Sequence, residues 1–207
     1  MSPLPVGFRD RWRGRVEPAF GCGWLYWHVL LGCEAEVCAV GSRGQRRIAG
    51  FSGFHPVPLP WLHLTVMEVG SASEVGAERV GAMVERAREA LKGWSAVTVN
   101  LGRVLYHPEA IVLAVEPDGG LDGLREGVQG ATAEVLGKDF AQEGDLWSPH
   151  VTLAYSTAVQ PAAPVIATLG RRLPGCEVTI RAVTLIDQRG PERDWDWHPL
   201  ATVNAVR

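Results

Sequence analysis

Two short stretches of this chain carry the residue types that acid–base chemistry needs. Trp61-Leu62-His63-Leu64-Thr65-Val66 and Trp147-Ser148-Pro149-His150-Val151-Thr152-Leu153 each read His, apolar, Thr, apolar. Such alternation predicts a β-strand with one polar and one buried face. Residues two apart on a strand point the same way, about 6–7 Å apart. His63 therefore shares a face with Thr65, and His150 with Thr152, while Leu64, Val66, Val151 and Leu153 turn into a core. Either stretch alone reads as a strand histidine satisfied by a backbone carbonyl; the matched pair favours catalysis. Two imidazoles facing across a cleft suit in-line displacement at phosphorus. One ring takes a proton from the attacking oxygen and the other supplies one to the departing oxygen. The Thr hydroxyls can hydrogen-bond the non-bridging oxygens where charge builds. Such a step requires no metal, and the six histidines form no HxH, HxxxH or HExxH pairing.

The elements that must position these strands follow from periodicity. Residues 1–21, rich in Pro, Gly and Arg, are expected as an irregular arm before a single domain over 22–207. Trp24–Leu31 reads as a strand with Trp24, Tyr26 and His28 on one face, which makes Tyr26 and His28 candidates to line the cleft. A short helix is expected over 34–48, weakened by Gly41 and Gly44. A firmer one runs Ser73–Lys92 with Ser73 as N-cap. Strands follow at Ser95–Val104 and Ala110–Val115, turning at His107-Pro108, then a helix over Leu121–Leu136. After the second His-Thr strand come a helix near Pro164–Arg172, a strand at Glu177–Ile186 and a closing strand at His198–Val206. This order approximates a duplicated helix-and-hairpin unit. The fold class is α+β: a bilobal pseudo-twofold duplication, with two antiparallel sheets lining a central cleft and helices outside.

Composition narrows the class. With 207 residues, 46% hydrophobic and 21% charged, the chain reads as an ordinary soluble globular protein. A formal charge of −3 argues against broad coating of nucleic acid but permits a local phosphate site. Arg9, Arg11, Arg13 and Arg15 read first as a solvated arm and second as substrate contacts. Asp187, Glu192, Asp194 and Asp196 read as a solvated acidic loop, and His55, His107 and His198, beside prolines, as surface residues. The four cysteines lack CxxC spacing and are expected reduced. No signal peptide and no membrane span are evident, so a cytoplasmic monomer is the expectation.

His63-Leu64-Thr65-Val66 and His150-Val151-Thr152-Leu153 resemble the paired H-x-T/S-x motifs of the 2H phosphoesterase superfamily, in its 2′–5′ RNA ligase-like and cyclic phosphodiesterase group. The resemblance spans roughly residues 24 to 206, including the strand-turn-strand through Val104–Val115. It implies metal-independent hydrolysis of a 2′,3′-cyclic phosphate, or a related cyclic phosphodiester or 2′–5′ linkage, on an RNA end or small nucleotide, with no cofactor. It also implies His63 and His150 as the acid/base pair and Thr65 and Thr152 as phosphate-binding hydroxyls. Many relatives follow the second motif with a basic residue, where this chain has Tyr155. That departure favours a smaller or differently held substrate. Strict alternation turns Tyr155 to the core, and a bulge after Leu153 would re-aim it into the cleft. The alternatives are a phosphoesterase of small-metabolite biosynthesis and a silent nucleotide-binding module.

Overall fold

The computed structural model describes residues 4–138 and 147–206. Among these the chain runs β1 (Gly7–Phe8), β2 (Gly23–Leu30), α1 (Ala35–Ile48), β3 (Phe54–Pro56), β4 (His63–Ser71), α2 (Ala72–Val75) and α3 (Ala77–Ala90). It continues β5 (Val97–His107), β6 (Ala110–Glu116), α4 (Asp122–Leu136), β7 (His150–Ser156), β8 (Gln160–Pro161), α5 (Ala162–Leu169), β9 (Arg172–Ile180), β10 (Ala182–Arg189) and β11 (Trp197–Asn204).

The main sheet has the order β11-β10-β2-β4-β7-β6-β5-β9, with β3 also pairing on β7. It is two antiparallel halves joined at one place, where β4 and β7 pair only through Leu64 and Val151. One half carries His63 and is built from the chain's two ends; the other carries His150 and is built from its middle. Two helices are exchanged between halves. Helix α1 leaves β2 but packs on β9 and β7, while α4 leaves β6 and packs on β4 and α3. Alternation in β2 is as expected, with Leu25, Trp27 and Val29 buried. The buried indole of Trp27 donates to the Thr132 hydroxyl on α4 at 3.2 Å, and that hydroxyl donates to the Val128 carbonyl. The core polar groups there are thereby paired, as burial demands.

Three expectations change. The helix from Ser73 is two helices broken at Gly76, whose φ of 78° suits glycine, and Ser73 lies inside α2 instead of capping it. The strand at Glu177–Ile186 is two strands meeting at Arg181, so that β9 edges one half and β10 belongs to the other. The helix near Pro164–Arg172 starts at Ala162 and ends before Gly170. The glycines that weakened α1 in the sequence do positive service in packing. A Cβ on Gly44 would meet the Leu153 Cδ1 at 2.8 Å, and one on Gly41 would meet the Leu62 Cδ1 at 2.9 Å, so alanine at either position would have to shift a leucine tip beneath α1.

Gly32 has the least room. A Cβ there would lie 1.9 Å from the Pro60 carbonyl oxygen, just before the turn that delivers His63. Neighbouring Leu31 donates its N–H to the Leu62 carbonyl at 2.9 Å. Gly32→Ala must therefore displace backbone, and we expect it to cost about 2 kcal/mol or more, read as a lowered midpoint in chemical denaturation.

Candidate active site

The two His-Thr strands share their local irregularities as well as their residues. On β4, His28 of β2 pairs with Thr65 and Trp27 with Met67, which leaves Val66 as an extra residue. On β7, Val112 of β6 pairs with Thr152 and Ile111 with Ala154, which leaves Leu153 extra. Each bulge thus falls directly after the Thr. A bulge shifts the alternation by one, so the residue three beyond each Thr returns to the cleft. His63, Thr65 and Glu68 on one side match His150, Thr152 and Tyr155 on the other, and all six line one cavity of about 980 Å³. Tyr155 enters the cleft by this route.

The join supplies the facing geometry. Leu64 and Val151 are partners in an antiparallel pair and both are fully buried. Continuing that register sets His63 against Thr152 and Thr65 against His150, all turned away from the core.

Each imidazole is held the same way. His63 Nδ1 lies 2.7 Å from the Trp61 carbonyl oxygen, and His150 Nδ1 lies 2.8 Å from the Ser148 carbonyl oxygen. A carbonyl can only accept, so Nδ1 carries the proton in both rings and Nε2 is left to exchange one. Burial pushes His63 down to about 4; the Trp61 carbonyl and Glu192 offset this in part, and His150 adds to it. His150 keeps more solvent contact. The surrounding walls still lower its pKa, opposed by the Ser148 carbonyl and helped by Arg11.

Tyr26 lies on the cavity wall, but His28 does not. It is on the expected face, yet His63 covers it, the rings stacked with centroids 4.3 Å apart and tilted by 21°. Its Nε2 is 3.2 Å from the Thr65 hydroxyl, and its Nδ1 is buried with no partner among the described residues. Burial, then the neighbouring His63, hold it well below the ordinary histidine pKa. His28 thus backs His63 and Thr65, and does not touch the cavity.

Other residues reach the cavity as well. His107, expected at the surface, lines it, as do Trp24, Trp147 and Arg171. The N-terminal arm is docked and not merely solvated: Arg9, Arg11 and Arg15 converge on the Glu109 carboxylate at 2.9, 3.6 and 2.6 Å. Burial pushes that carboxyl up, and the Arg15, Arg9 and Arg11 charges outweigh it, leaving it below the usual range. Glu192, from the supposed solvated loop, takes the Arg11 fork in two bonds of 2.7 and 2.8 Å. Among the described residues, no three His, Cys, Asp or Glu side chains gather as a metal site would. No helix there is long and apolar enough to cross a membrane.

Residues 42–192, which include both motifs, match the sequence profile of the 2′-5′ RNA ligase superfamily. The chain belongs to this superfamily, that of the 2H phosphoesterases. Solved structures of similar fold agree with the superfamily's architecture. TT0787 of Thermus thermophilus is 21% identical with a TM-score of 0.67, the match covering 87% of this chain and 97% of that one. E. coli LigT complexed with 3′-AMP is 18% identical, TM-score 0.62, covering 90% and 99%. E. coli LigT complexed with phosphate is 17% identical, TM-score 0.61, again covering 90% and 99%. No curated protein matches by sequence. As the paired motifs led one to expect, the superfamily fold is mixed α/β with antiparallel sheets.

Stability of this 2H fold should depend on pH through the stacked histidines. Their folded pKa values lie below 6.5, so the unfolded chain binds the extra protons. Stability is then full above about pH 6.5 and falls as pH drops toward 4. We expect the thermal midpoint to fall across that window, and to fall less steeply in His28→Phe, which keeps the stack without the buried titrating ring.

Proposed function

We propose that the chain is a metal-independent phosphoesterase that opens 2′,3′-cyclic phosphates, or related cyclic phosphodiester or 2′–5′ linkages, on RNA ends or small nucleotides. The observation that carries this reading is the matched pair of Nε2 atoms, each freed by an Nδ1–carbonyl bond and each opening on the same cavity as a Thr hydroxyl. Water attacks phosphorus and gives its proton to the Nε2 of one neutral ring. The bond from phosphorus to one ribose oxygen breaks, and that oxygen takes the proton from the Nε2 of the other, protonated ring. A phosphomonoester and a free hydroxyl result, and proton exchange with water resets the pair. Thr65 and Thr152 donate to the non-bridging oxygens. Because the rings present the same atom, they can exchange roles, and a second ribose hydroxyl attacking in place of water would be joined to the cyclic phosphate by the same step, with the same ribose oxygen leaving and taking the proton.

Family membership supports the reading, as do the ligands of E. coli LigT, solved with 3′-AMP, with phosphate and with ATP. The cavity's size falls within the range of small-molecule sites, in keeping with a mononucleotide or a short terminal segment as substrate.

His63→Ala and His150→Ala are each expected to lower kcat for nucleoside 2′,3′-cyclic phosphates by about 10²–10⁴-fold, with circular dichroism unchanged. Full turnover in either folded variant, or nucleotide binding by the wild type without any product, counts against the proposal. Activity should persist in excess EDTA.

The profile of kcat/KM against pH should be bell-shaped. Both rings are depressed below 6.5, so the form with one ring protonated is most populated on the acid side of neutrality. The two limbs belong to the coupled pair. A plateau running from neutral to alkaline pH contradicts the two-ring mechanism.

A further inference from the structure

The phosphoryl group between the two rings is anionic, and the proton that the pair carries in the working state is given up in the reaction, so a cation of permanent charge has to come from another side chain. Tyr155 occupies a position where the sequence could have supplied one and does not. Among the described cavity residues the guanidiniums are Arg11, Arg15 and Arg171. Arg11 is tied to the strand of His150 through Tyr155. Its guanidinium lies 4.3 Å over the Tyr155 ring. The Tyr155 hydroxyl is within hydrogen-bonding reach of Thr152. Burial lowers the His150 pKa and the Arg11 charge adds to it, whereas Arg171 acts on Tyr106. Arg11 is oriented as well as near. Glu192 takes one edge of its fork, and Glu109 stands 3.6 Å from Nη1, so most of its five N–H donors are uncommitted. The opposite wall carries Glu68, bonded by the Trp24 indole at 2.9 Å, and so repels an anion.

We propose that Arg11, brought in by the N-terminal arm, is the cation that grips the phosphoryl oxygens on the His150 side, which makes the arm part of the binding site. The proposal rests on the reading of a phosphoesterase cleft. Arg11 is a binding residue here: its N–H groups donate to the non-bridging oxygens beside the Thr152 hydroxyl, a charge-assisted fork of the kind arginine forms with phosphate. Glu192 and the Tyr155 ring hold the fork in place. The substrate is therefore a terminal or mononucleotide phosphodiester, oriented with its phosphate under the arm and its nucleoside toward Tyr26, Trp24 and Glu68.

The test compares Arg11→Gln with wild type in two measurements, calorimetric titration with inorganic phosphate and kinetics on nucleoside 2′,3′-cyclic phosphates. Phosphate affinity should fall about ten- to hundredfold, KM should rise by a similar factor, and the pH profile should move upward as His150 loses its cationic neighbour. Arg9→Gln removes a guanidinium from the same Glu109 carboxylate outside the cavity, and should leave phosphate affinity and KM as they are. An equal loss in Arg9→Gln would reduce the arm to a structural prop, and loss in Arg171→Gln with none in Arg11→Gln would move the clamp to the start of β9. Either result overturns the inference. If Arg11→Gln melts early, Arg11→Lys serves, keeping the charge without the fork; wild-type phosphate affinity and KM in that variant also overturn it. Should the wild type turn over no cyclic phosphate, the functional reading fails while the phosphate titrations still judge Arg11.

Discussion

Leu64 and Val151 meet across the join between the two halves of the sheet, and neither side chain is exposed. Because strand neighbours point to opposite faces, burying this pair forces the residues on either side of it into the cleft. His63, Thr65, His150 and Thr152 are those residues. The apolar contact therefore determines where the polar atoms stand, and it does so from both strands at once. The exchange of α1 and α4 between halves braces the join from behind, since each helix covers strands of the half it did not come from. Movement of one half against the other would have to uncover Trp27, Leu62, Leu153 and the helix faces packed on them.

Within that frame, charge is distributed unevenly about the pseudo-twofold. The equivalent positions after the two bulges hold Glu68 and Tyr155, and the second is overlaid by Arg11. The backbone is symmetric and the electrostatics are not, which suits a ligand with an anionic end and a neutral end. His28 contributes by stacking: it supports the His63 ring and bonds the Thr65 hydroxyl without reaching the cavity.

The paired motifs were legible because their information is local: alternation predicts the strand, and a strand with His and Thr two apart needs nothing else to point them together. Tyr26 followed from the same alternation. The break at Gly76 and the turn at Arg181 were not legible, since apolar periodicity runs through both and only backbone geometry separates them. Tyr155 required the bulge at Leu153, which pairing with β6 reveals. The meeting of Arg11 with Glu192 was out of reach for a different reason. They meet from opposite ends of the chain, and each alone is an ordinary charged residue in a polar loop. His28 was placed on the right face but at the wrong depth, because the ring that covers it lies on another strand.

The arm that walls the cavity is synthesised ahead of every element it docks on and can be seated only after they follow. Its docking points are the Pro108 and Ser156 carbonyls, the Glu109 carboxylate and the Glu192 carboxylate. A ribosome must have released the chain through Glu192 before the last of these exists. Until then a nascent chain could pair β4 with β7 and set its histidines while the cleft still lacked one wall. In vectorial folding of this kind, the cavity is completed from the N-terminus by residues that waited for the C-terminal strands to arrive.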